Sequence, residues 1–375
     1  MPSLVPLASE ALLSAPSTAA SDPILLSAHG DAWQSEALAR RARDGQLVRL
    51  ARGTYCALET WLRSAPWDRH LLAVVAHAAS RNRDVVFCHQ TAAVLHGLPS
   101  ADTLDVIHTR ATSRGGSGCS PARNPYVNVD AASRLVGSLR AEGLKLARRT
   151  LPGLPVTRAL WNIPPSLLQT SPEFGVVPVH LSDGRFIGHV LADSVPWACA
   201  AAFSSGSLID TISMSDHLLR HRPDEFAATA TLIEDLALSR AAHRRACLTM
   251  SFADPRSESP KESASRALIY QLGFEVPDLQ YQVLDATGRE VARTDFKWRR
   301  STLRARILLG EFDGLMKYGA ALAGPNGGDD ALAREKKREL MLARLGYDVV
   351  RWIDSDLKNP RAFGRMLAEH GVPLR

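Results

Sequence analysis

Along "WQSEALARRARDGQLVRLARGTYC" the spacing of apolar positions changes once. Leu38 and Ala42 stand four apart, as on one stripe of a helix, while Arg40, Arg41 and Arg43 fan over the other faces. After Gly45 the apolar residues fall into two short runs, Leu47 to Leu50 and Thr54 to Cys56, on either side of the turn "ARG". A helix ended by glycine and followed by a tight β-hairpin predicts a winged helix-turn-helix, with Arg52 at the tip of the wing. The expected first domain is residues 1–64, a tail and then this unit. Three arginines on a short helix can be a solvated face; cations on helix and wing together also suit the backbone of duplex DNA.

Residues 65–250 show no single period. "HLLAVVAHAA" predicts an apolar helix, "TLDVIHT" and "YVNVD" predict short strands, and the remainder up to Met250 reads as largely helical. The expectation is a central α/β linking domain. His89 and His96 lie seven apart with no Cys, Asp or Glu between them to complete a ligand set, so both are assigned to packing or capping. "TSRGGSG" lacks the Lys-Ser or Lys-Thr of a phosphate-binding loop and reads as a loop tip.

Residues 251–375 have the clearest order. In "SPKESASRALIYQLGF" Ser259 caps a helix, Pro260 takes its first position and Gly273 ends it. "LQYQVLD", "REVARTDFKW" and "RARILLGEFD" predict three strands, "ALAREKKRELMLARLG" a helix whose "REKKRE" reads as a solvent face, and "YDVVRWI" a last strand. The third strand runs apolar through Ile307 and Leu309 and then places Glu311 and Asp313 on that same face. Clustered carboxylates resist joint ionisation unless a cation lies between them. With Asp295 on the neighbouring strand they form the oxygen-rich set that Mg²⁺ or Mn²⁺ takes.

Composition adds an anionic partner and removes some classes. Lys plus Arg number 45 against 39 Asp plus Glu, a net charge of +6, and "RTDFKWRRSTLRAR" gathers Arg293, Lys297, Arg299, Arg300, Arg304 and Arg306 around the one acid Asp295. Similar charges also blunt a sheet edge. The five cysteines are scattered without a C-x-x-C pair, which fits a reducing cytoplasm. The opening residues lack the cationic start of a secretory signal, and no apolar run reaches membrane-spanning length.

The order helix, three strands, helix, strand, with Glu262, Asp295, "EFDG" and Lys317, resembles the PD-(D/E)XK nuclease fold and, more closely, the very-short-patch-repair-like endonuclease domains. "QLVRLARGTY" followed by "HQTAAVLHGLP" resembles the winged-helix antitoxins of the AbiE type. These resemblances imply an α/β multidomain protein that binds DNA and hydrolyses phosphodiesters with Mg²⁺. Asp295 and Glu311 would hold the metal, Asp313 and Glu262 would complete its shell, and Lys317 would assist the attacking water. Arg40, Arg41, Arg43, Arg52, Lys297, Arg299, Arg300 and Arg304 would bind DNA. The alternative is a non-catalytic repressor or antitoxin, with a cognate toxin as partner. The residue two after Glu311 is Asp313 where the plain nuclease pattern has lysine, and Glu262 also completes an S-x-x-E capping box that needs it for the helix start alone.

Overall fold

In the computed structural model Gly45 marks a change of element, and its geometry says why glycine stands there. Its φ is +78°, and a Cβ would lie 2.3 Å from that of Ala131. Before it comes the helix Ala32–Arg43, whose first-turn amides of Trp33 and Gln34 donate to the carboxylate of Asp31. After it come β2 (Leu47–Ala51) and β3 (Thr54–Ala57), which form an antiparallel sheet with β1 (Leu25–Ser27) in the order β1-β3-β2. Ala42, Leu47 and Tyr55 make its small core. The structure describes residues 24–28, 31–101, 104–111, 113–143, 151–160, 173–236, 238–299, 306–313 and 337–375.

The next stretch differs from its sequence reading in two places. "YVNVD" is not a strand: Asn128 accepts the Ala131 amide and caps the helix Val129–Ala141, while the buried Tyr126 donates its hydroxyl to the Pro152 carbonyl. Beyond that helix the sequence is not mainly helical at once, because among the described residues three strands precede the helices that run to Ser251. A six-stranded mixed sheet is built from β4 (Val86–Phe87), β5 (Val106–Arg110), β6 (Gly118–Ser120), β7 (Val156–Leu160), β8 (Phe174–His180) and β9 (Phe186–Asp193), in the order β6-β7-β5-β4-β9-β8. Pro178, which argues against a central strand, sits in β8 at the sheet edge, where its missing N–H costs no ladder bond. The loop tip expected at "TSRGGSG" leads through a turn at Arg114–Gly116 into the exposed edge strand β6. The helix Pro66–Ala79 forms as expected from "HLLAVVAHAA".

The chain divides into two compact units. One holds Met1–Leu98, Asp102–Ser204 and Ala228–His243; the other holds Pro99–Ala101, Ser205–Ala227 and Arg244–Arg375. In the second, the helix Pro260–Gln271 leads to a sheet of β10 (Asp278–Leu284), β11 (Glu290–Trp298), β12 (Ile307–Phe312) and β13 (Tyr347–Trp352), in that order, with only β12 and β13 parallel. Residues 337–344 are helical. The helices Asp354–Leu357 and Pro360–Glu369 close the chain beyond the strand at which the sequence reading ended.

One face of this sheet, with Phe296, Trp298, Leu308 and Trp352, packs on Leu268 and Ile269 of one helix and Phe363 and Leu367 of another. Gly310 lies between the two tryptophans, where a Cβ would meet Trp298 at 2.8 Å and Trp352 at 2.9 Å. The other face, with Val283 and Leu309, is covered by Leu342. The second unit also includes the helix Leu208–His221, whose Leu208 and Ile212 pack on Ala267. Fold and composition together make this a mixed α/β protein with several sheets; among the described residues no helix is long and apolar enough to cross a membrane.

Candidate functional site

The acids singled out in the sequence meet where two strands part. β11 and β12 pair Trp298 with Leu308, Lys297 with Leu309 and Phe296 with Gly310, and the register stops there although β12 runs on to Phe312. Asp295 and Glu311 are the next residues on either strand. The Phe312 amide, left without a ladder partner from β11, donates to Asp295 Oδ2 at 2.8 Å. A buried amide without an acceptor is costly, so this carboxylate has a structural task at the fork.

Glu311 is 6 % exposed and holds two guanidinium groups. The parallel register of β12 and β13 sets Arg351 beside it, and Arg351 Nε donates to Oε2 at 2.9 Å. From the helical residues 337–344, Arg338 Nη2 donates to Oε1 at 2.5 Å and Nη1 reaches Oε2 at 3.4 Å. Arg338 Nη2 also donates to the Arg293 carbonyl at 3.1 Å, fixing its position over the sheet. The solvent face read into "REKKRE" is therefore corrected for Arg338, whose head turns inward. The signal in "VVRW" was a cation at a strand position flanked by apolar neighbours; without the register nothing says what it pairs with.

The other expected site residues are spread. Asp313 lies one residue past β12, its amide donating to the Trp352 carbonyl at 2.9 Å. Glu262 performs the capping role: its amide donates to Ser259 Oγ at 3.2 Å and its carboxylate accepts the Glu258 amide at 3.0 Å. The side-chain amide of Gln280 donates to the same carboxylate at 3.0 Å, and none of the hydrogen bonds of Glu262 runs to Asp295 or Glu311. Lys297 is corrected as a surface cation. It is 7 % exposed, its ammonium 4.2 Å from the Tyr281 ring centre and 3.6 Å from Asp278. Arg299 is exposed. Lys317, Arg300 and Arg304 lie outside the described residues.

In donor type the Asp295–Glu311 pair suits a divalent cation. In arrangement both Glu311 oxygens are engaged by guanidinium groups and one Asp295 oxygen by an amide, so the charge of Glu311 is balanced by the chain itself. An ion at this fork would have to displace Arg338 and Arg351 from the carboxylate. In the first unit, Arg40, Arg41 and Arg43 end the helix Ala32–Arg43 and Arg52 stands at the β2–β3 turn, all four exposed.

No family model matches the chain, and no solved structure matches it. Two proteins of Mycobacterium tuberculosis, from strains CDC 1551 / Oshkosh and H37Rv and both described as uncharacterized, are each 30% identical to it over 122 residues. The match covers 32% of this chain and 40% of each relative.

Proposed function

We propose that the chain is a DNA-binding protein, with a winged helix in its first unit and an endonuclease-like domain in its second. The observation that carries the proposal is the meeting of Asp295 and Glu311 at the point where β11 and β12 separate. Two carboxylates on neighbouring strands at an opening in a sheet are where a divalent cation could be held against a phosphodiester. Such an ion would supply an activated water and stabilise developing charge on phosphorus oxygens. Exposed Arg40, Arg41, Arg43 and Arg52 would hold the duplex through its phosphates.

A second reading, a non-catalytic repressor or antitoxin that keeps the fold for binding, is favoured by Arg338 and Arg351. Both sit on the carboxylate that a metal would need.

One set of measurements separates the two. Calorimetry with Mg²⁺ and Mn²⁺ is expected to show binding that Asp295→Ala weakens at least tenfold, and mixed DNA substrates are expected to be cut only with metal. Metal binding without cleavage of any substrate selects the repressor reading, and absence of metal binding defeats the endonuclease reading. DNA binding has its own test: Arg40→Ala, Arg41→Ala and Arg43→Ala together should lower duplex affinity and flatten its salt dependence by about 0.9 log unit for each phosphate the protein no longer neutralises.

A further inference from the structure

The first unit contains a basic cleft whose cations the sequence reading did not assign, Arg52 excepted. A cavity of about 280 Å³ reaches from the β2–β3 turn to β7 and is lined by Arg52, Arg81 and Arg123. A second, of about 300 Å³, shares His77, Arg81, Ser120 and Thr157 with it and continues to Arg83 and Arg110. Asp84 is the single acid among the described residues of the two linings. Arg110 is held by Asp193, its Nε donating to the carboxylate at 2.6 Å. Arg52, Arg81, Arg83 and Arg123 are exposed, and among the described residues none has a carboxylate partner. His77 between them adds no charge at neutral pH: burial, with Arg81 and Arg123 nearby, pushes its imidazole down to about 4.

Four unpaired guanidinium groups around one connected depression repel one another until an anion enters. Arg52 and Arg123 line only the first cavity, Arg83 only the second and Arg81 both, so the four are distributed along the cleft rather than gathered in one cavity. Each cavity has the volume of a small-ligand site, and the two share a wall, which suits successive phosphates of one strand. We propose that this cleft binds the sugar–phosphate backbone of a single nucleic-acid strand, with Arg81 at the centre of the track. The choice of polymer rests on the function proposed above, while the location rests on these residues alone.

The full chain offers a probe inside the cleft, since Cys119 lines the second cavity and is exposed, whereas Cys56, Cys88 and Cys199 are buried. A fluorescent oligothymidylate should bind the wild type and slow alkylation of Cys119, read by mass spectrometry. Arg81→Ala with Arg123→Ala should lower its affinity at least tenfold and reduce the slope of log affinity against log salt by about 1.4, from about 0.7 per phosphate neutralised on a single strand. Arg81→Lys with Arg123→Lys, which keeps the charge, should retain most of the binding. Unchanged affinity in the alanine pair, equal loss in the lysine pair, or protection of Cys119 by free nucleotides but not by the oligonucleotide would each overturn the proposal. Failure of the helix–wing reading shows elsewhere, as duplex binding that Arg40→Ala, Arg41→Ala and Arg43→Ala leave untouched.

Discussion

Glu311 shows how one side chain reverses the sign of an expectation. Acids clustered without cations would repel, and removing one would stabilise the fold. Here Glu311 is the shared acceptor of Arg338 and Arg351, so its removal leaves two largely covered guanidinium groups facing each other. Glu311→Ala is expected to lose about 2 kcal/mol, below the cost of breaking a fully buried pair because both arginines keep some exposure to water. Urea denaturation of parent and variant without metal measures it, and a variant more stable than the parent would refute the account. At this scale the local chemistry was legible where the partner lies within a few residues, as with Ser259 and Pro260 at their helix start. It was not legible for Glu311, whose partners stand 27 and 40 positions away.

Elements carry the next level of information, and the helix Leu208–His221 is the instructive case. It packs beside Pro260–Gln271, and between them Arg266 Nη2 donates to both oxygens of Asp216 at 2.7 and 2.9 Å, the two side chains 4 % and 3 % exposed. Arg266 also donates to the Phe252 carbonyl and lies over the Phe252 ring. Burial raises the Asp216 carboxyl while Arg266 pulls it back down, so each group tolerates its site because the other is there. A fragment starting at Ser251 loses Asp216 together with the helix that packs on Arg266 and Ala267, and should melt at a lower temperature than one starting at Ser205. Cooperative melts of the two fragments, followed by circular dichroism, provide the check; equal stability would mean that the pair contributes nothing to this unit. The strands of "REVARTDFKW" and "YDVVRWI" were readable from alternation, since one face of each is apolar. β8 was not, because Pro178 argues against a strand and its apolar residues Phe174, Val176, Val177 and Val179 fall on both faces without alternation.

In the first unit, four histidines contribute a common response to acid. Burial pushes His70, His77 and His108 down to about 4 and His89 to about 3. His89 and His108 stack with ring centres 5.5 Å apart, so a charge on either opposes a charge on the other. Their ordinary value in the unfolded chain is 6.5, so below it the unfolded state binds more protons than the folded one. The stability gained from keeping them neutral is complete above pH 6.5 and is lost as pH falls toward 4, by up to about 1.4 kcal/mol per pH unit for each histidine. Melting temperature should therefore be level from about pH 8 to 7 and fall steeply below about 6. His89→Asn should flatten that fall, since asparagine accepts the φ of +52° at this position and carries no titrating group. An unchanged slope would remove His89 from the account. The sequence by itself determined what depends on neighbours along the chain: the helix that Gly45 closes, the capped start at Ser259, the alternating strands of the second unit and the acids at the end of one of them. Tertiary structure alone decided which charges meet, placing Arg338 and Arg351 on Glu311, Asp216 on Arg266, and Arg52, Arg81, Arg83 and Arg123 around one cleft. Capping and periodicity act over one or two turns, whereas an ion pair or a cavity exists only once register and packing have joined distant segments.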